Sequence, residues 1–154
     1  MYSILLTLHS FVRWLVLISL LLAIVRGYRG WLAHQPFSRR DNALRHWTAT
    51  VAHVQLILGI GLYFISPLVA YFLDHFQAAM QQREIRFFGM EHSSMMLLGI
   101  VLITVGSMRA KRAATDRQRF KTMALWYTAG LLVILSSIPW AFSPLVSRPW
   151  FRTF

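Results

Sequence analysis

Two histidines of this 154-residue chain sit in matching contexts. His9-Ser10 is followed by Arg26 and Arg29, and His92-Ser93 by Arg109 and Arg112. In both cases the first arginine follows the histidine by 17 positions, and the second comes 3 later. Each histidine lies in a long apolar run, where a polar imidazole is costly unless something uses it. Neutral imidazole is a good ligand for iron and other transition metals. At about 1.5 Å of helical rise per residue, each histidine stands roughly 26 Å from its basic edge. In a hydrocarbon core of about 30 Å, both then lie at one level, just below the opposite surface.

Two imidazoles at one depth on facing helices can approach the two faces of a flat macrocycle. That is the geometry of a bis-histidine haem, here one haem b with His9 and His92 as iron ligands. Arg13, one turn deeper than His9, falls near the bilayer centre, where a charge needs a partner inside the protein. Gln55, a haem propionate and Glu91 are the candidates, and a propionate would make Arg13 a cofactor contact. Two other readings stand beside this one. The histidines hydrogen-bond across helices and bind nothing, or they hold a non-haem metal, for which two ligands make a poor site.

His53 lies 8 residues beyond Arg45, roughly 12 Å from the basic edge, and so in the other leaflet. It cannot share an iron with His9 or His92. With Gln55 and Arg13 it forms either a quinone or proton site or a structural hydrogen-bond cluster. A second haem on His46 and His53 is disfavoured, because both lie on one helix. Glu91 pairs with Arg13 or with Arg86 at the headgroups. His34 and His75 fall in loops and carry no role, and Ser10 and Ser93 bond back to helix carbonyls.

The elements that must place these groups are read from composition. The chain is 56% hydrophobic and 14% charged, against about a quarter charged in a soluble domain. That excludes disorder and leaves too little charge to cover a soluble core. With no cysteine, disulfide scaffolds and thiolate metal sites are excluded. Four runs are long enough to cross a bilayer: about 4–25, 44–66, 87–108 and 122–142. They predict an all-α integral membrane protein, a single domain over 1–154 built as a four-helix up-down bundle. Helices one and three are then diagonal neighbours. The first run is too long for a signal peptide, lacks a preceding basic residue and is split by Arg13.

The net charge of +11 also finds its place. Eleven of the 16 basic residues fall in the first and third loops. The positive-inside rule puts those loops in the cytoplasm and both termini outside. The charge is therefore an orientation signal that also meets anionic lipid, and no nucleic-acid partner is expected. Trp31, Trp47 and Trp140 fall near span ends, as interfacial anchors do. In the second loop, Pro67 stops the second span and residues 68–82 read as one short amphipathic helix at the outer interface. Pro139 should bend the fourth span near its outer end and free carbonyls there. Pro144 and Pro149 mark an extended outer tail.

The segments LHSFVRWLVL, VAHVQLILGIGLYF and EHSSMMLLGIVLITVG resemble a family of small bacterial four-helix membrane proteins labelled cytochrome b. The resemblance covers nearly the whole chain and implies a bacterial cytoplasmic membrane. A weaker one is to one half of haem A synthase, itself a four-helix unit. There an outer histidine, a Gln-x-x-Leu-Gly span and a second outer histidine occur in order, matching His9, Gln55 to Gly59 and His92. It implies that His9 and His92 are outer haem ligands. In that enzyme a glutamate stands three residues before the first ligand, where this chain has Leu6. The likeness therefore points to a haem-binding bundle without the oxygenase chemistry.

The expected function is electron transfer between quinol and a partner protein. The chain would serve as an electron-transfer subunit of a quinol-linked oxidoreductase, in a larger membrane complex or with a second copy of itself. The rivals are a cofactor-free assembly subunit and a haem or metal transporter. Phosphate loops, His-Glu-x-x-His and Ser/His/Asp constellations are absent from the sequence.

Overall fold

The computed structural model describes residues 1–141 and Val146. The extended tail expected at Pro144 and Pro149, and Phe142 at the end of the fourth expected span, lie outside the described residues. Among the described residues the chain is helical and contains no strand. The long helices are α1 (Tyr2–Leu32), α2 (Arg39–Ile65), α6 (His92–Arg112) and α7 (Asp116–Ser136). Between α2 and α6 lie α3 (Pro67–Asp74), α4 (Phe76–Gln81), α5 (Arg83–Arg86) and a π-helical turn, Phe87–Glu91.

Among the described residues three runs are long and apolar enough to cross a membrane: Tyr2–Leu32, Arg39–Ile65 and Arg83–Arg112. Their outward faces are apolar. Phe11, Leu22, Ile57, Phe64 and Leu97 are all more than half exposed. Water would not tolerate that surface, and lipid would. The fourth long helix lies about six residues earlier than the fourth expected span. α7 starts at Asp116 among charged residues and ends at Ser136.

The termini of these helices have local causes. Ser38 caps α2 in a reciprocal box: its hydroxyl accepts from the Asp41 N–H, and the Asp41 carboxylate accepts from the Ser38 N–H at 2.8 Å. Asp41 also takes Arg26 of α1 at 2.6 Å, so the cap ties the first two helices together. The cap stands at the polar start of α2, ahead of its apolar run. Burial alone would raise the Asp41 carboxyl; the hydrogen bonds from Arg26 and Ser38 outweigh it and hold the group below the usual carboxylate range. Thr115 caps α7 through the Gln118 N–H.

α1 packs on α2 and α7, and α6 packs on the same two helices. α1 and α6 therefore face each other across the bundle. Leu20, Ala23, Ala52, Ile103, Phe120, Met123 and Tyr127 fill the interior. α6 and α7 approach closely at Gly99 and Gly130. A Cβ on Gly130 would stand 2.8 Å from Ile103 and 3.1 Å from the Gly99 carbonyl. Small residues at such crossings let backbones meet where lipid provides no hydrophobic drive.

Two expectations are corrected. Residues 68–82 form two helices, broken at His75, whose φ of −129° and ψ of 48° leave the helical region. The His75 ring stacks on Tyr71 at 4.7 Å. Pro139 does not bend a continuing helix, because α7 has already closed at Ser137. Proline disfavours helix at the residue before it and has no N–H to give the carbonyl four residues back. That carbonyl, on Leu135, is taken by the Trp140 indole N–H at 3.0 Å.

Candidate functional site

His9 and His92 are brought together. Their ring centres lie 6.4 Å apart with the planes at 72°. Three features of the chain produce this. α1 and α6 face each other across the bundle. His92 begins α6 directly after the π-helical turn, its N–H reaching back to the Phe87 carbonyl. The added residue of such a turn rotates the face that the next helix presents, and π-turns concentrate at functional sites. Third, Gly59 of α2 lies under the His9 ring. A Cβ there would meet His9 Cε1 at 3.3 Å, so glycine lets α2 close on the imidazole.

The two rings differ in their hydrogen bonds. His92 Nδ1 lies 2.7 Å from the Ser137 carbonyl oxygen. A carbonyl only accepts, so Nδ1 carries the proton and Nε2 keeps its lone pair. The helix end ahead of Pro139 exposes that carbonyl. Phe87, buried, and Phe88 flank the His92 ring at 5.7 and 6.0 Å. His9 Nδ1 is buried with no hydrogen-bond partner. Buried polar atoms in proteins are seldom left so. Gln55 donates its amide N–H to the His9 carbonyl at 2.9 Å, and its own Oε1 is buried and unbonded. Two orphaned polar atoms thus lie on adjoining helices beside the paired rings.

The separation of the two ring centres is close to that of two imidazoles on one metal. Imidazole nitrogens on opposite sides of one metal stand about 4 Å apart, given bonds of about 2.0–2.1 Å, which puts ring centres about 6 Å apart. A ligating histidine usually donates its other N–H to a carbonyl or carboxylate, as His92 does. Among the described residues no group of three or more His, Cys, Asp or Glu converges, so a non-haem metal would have the two imidazoles alone. Arg13 lies over the Trp14 ring at 5.3 Å, within electrostatic reach of both imidazoles. Trp14 in turn meets Trp140 edge-on at 6.3 Å.

The second group of polar residues does not form one site. Gln55 faces α1, whereas His53 faces α6 and lies on the exposed side of α2. His53 Nε2 is 2.9 Å from Thr104 Oγ1. The single Thr104 hydroxyl proton goes to the Ile100 carbonyl at 2.7 Å, so His53 is the donor. Gln55 Oε1, being unbonded, takes no hydrogen bond from Arg13. Glu91 pairs with Arg86 at 2.7 Å, the headgroup-side alternative of the two expected. Sequence reasoning did not find Ser137 or Thr104 as partners. Pro139 signals the first, as a helix terminator close to a free carbonyl. The second has no sequence signal, because Thr104 is one hydroxyl in an apolar run.

Comparison with known proteins finds no relative: no family model, curated protein or solved structure matches the chain.

Proposed function

We propose that this chain is a membrane-bound b-type cytochrome that holds one haem between His9 and His92 and passes electrons between quinol and a partner protein. The observation that carries the reading is the imidazole pair at 6.4 Å, with one ring oriented by a carbonyl and the other holding an orphaned nitrogen. The haem, when bound, supplies one-electron redox chemistry. The rest falls to the chain. His92 offers Nε2 because Ser137 holds its Nδ1 proton. Gln55 fixes the backbone at His9. Arg13 places a positive charge beside both rings, suited to a propionate. Phe87 and Phe88 lower the local dielectric and keep water from the site. A haem held by both His9 and His92 would supply electron transfer in preference to oxygen chemistry.

In this reading α7 is the fourth crossing and the bundle runs up and down. The two basic loops are cytoplasmic, and the histidine pair lies near the outer face of a bacterial cytoplasmic membrane. A quinone site on Arg13, His53 and Gln55 loses support, since His53 and Gln55 face different helices. The rival reading, a cofactor-free assembly subunit, draws on the same contacts. His92 to Ser137 and His53 to Thr104 are complete interhelical hydrogen bonds as they stand.

An optical spectrum separates the two. Protein purified from haem-replete cells should show sharp reduced α and Soret bands. Both bands should vanish in His9→Ala and in His92→Ala and persist in His53→Ala. A colourless wild-type protein would sink the cytochrome reading. Loss of the bands in His53→Ala alone would overturn the ligand assignment.

A further inference from the structure

We propose that the cavity between the end of α6 and the start of α7 is a headgroup site for an anionic phospholipid. It is shallow and open to the surface, about 440 Å³, and is lined by Arg109, Arg112, Ala113, Thr122 and Trp126. Arg109 and Arg112 stand one turn apart on α6, both exposed. Neither has an acidic partner among the described residues. No carboxylate lines the cavity, so its charge is uncompensated.

The arrangement goes beyond scattered surface charge. The Arg109 guanidinium lies 5.3 Å from the Trp126 ring centre. A guanidinium held at a ring face keeps N–H donors free for planar or tetrahedral oxyanions. Trp126 can sit there because residue 106 is glycine, where any side chain would collide with it. Thr122 adds a hydroxyl from α7.

The neighbouring surface argues for a lipid over a soluble phosphate. The same two helices expose Val101, Met108, Leu125 and Leu132. A phosphodiester held by the two arginines at the bilayer rim would lay its acyl chains along these side chains. Tryptophan at the headgroup level is the expected companion of such a site. A second cavity at the same end, lined by Phe37, Ser38, Arg39, Asn42, Lys111 and Arg119, provides an internal comparison. Its Arg119 is already bonded to the Ala113 carbonyl and to Asp116. This proposal does not depend on the haem.

Native mass spectrometry of the detergent-solubilised full chain tests it, using phosphatidylglycerol and phosphatidylcholine with identical acyl chains. The wild type should prefer phosphatidylglycerol by about tenfold. Arg109→Gln/Arg112→Gln should abolish that preference. Arg39→Gln/Lys111→Gln, which removes the same charge from the comparison cavity, should keep it. Absence of any preference in the wild type overturns the proposal without recourse to a variant. Equal loss in both double variants overturns it by reducing the effect to net charge. Displacement of the lipid by glycerol phosphate at matching concentration overturns the lipid assignment in favour of a soluble anion.

Discussion

At the scale of single residues, the site depends on which nitrogen each histidine has left to give. His92 has Nε2, because Ser137 holds its other side. His53 has committed Nε2 to Thr104 and stands on the outer side of α2. His53→Ala should therefore leave haem content unchanged while costing about 0.5–1.5 kcal/mol of stability, the net worth of one hydrogen bond. Thermal unfolding and the Soret absorbance read the two effects in one sample. Asp41 carries a different prediction. Against the cost of burial, Arg26 and Ser38 hold its carboxyl below the unfolded value of about 3.9. The stability it provides is thus complete above about pH 4 and is lost as pH falls through the depressed folded value. Asp41→Asn should remove that acid-side slope and lower stability by about 1.5–3 kcal/mol at pH 7, measured by pH-dependent unfolding in detergent. Equal acid sensitivity in the variant and the wild type would contradict this role. That His9 and His92 come to one level of the bundle was legible from sequence spacing. Their partners were not, because a carbonyl freed at a helix end and a lone hydroxyl leave almost no trace in residue types.

At the scale of elements, α7 ends where Pro139 forbids another turn, and that end exposes the carbonyl His92 uses. The sequence signalled that Pro139 would free carbonyls near this point; whether the helix bends or stops there depends on packing at its end. Pro139→Ala should let α7 run on and compete for the Ser137 carbonyl. Haem retention should then weaken by about tenfold or more, as when the outer partner of a ligating histidine is lost. Unchanged retention under dilution would show that the hydrogen bond is incidental. The α6–α7 crossing makes a second prediction. Gly130→Leu has no room against Ile103 and the Gly99 carbonyl. It should destabilise the bundle by about 1–3 kcal/mol, seen as a lower midpoint of thermal unfolding. The amphipathic segment after Pro67 was also legible, but its break at His75 was not. Hydrophobic periodicity does not mark a single residue leaving the helical region.

At the scale of the whole molecule, charge and apolar surface agree. Basic residues gather at the ends of α1 and α6 and the starts of α2 and α7, and the flanks of the long helices are apolar. Composition alone pointed to long apolar helices. Among the described residues three helices meet the length and hydropathy of a crossing, and α7, richer in charge at its start, was the element least readable as one. The chain has no cysteine, so single-cysteine variants report orientation cleanly. Ala114→Cys in the third loop should label only from the cytoplasmic side. Gln77→Cys in the second should label only from the outer side. Labelling of both from one side would refute the four-crossing arrangement.

The central claim is that His9 and His92 together hold one haem, and titration of haem into the purified, haem-depleted full chain tests it most directly. Saturation is expected at one haem per chain with a low-spin spectrum, and no saturable low-spin species in either His9→Ala or His92→Ala. A wild-type chain that takes up no haem stoichiometrically, or single variants that bind it as the wild type does, would contradict it.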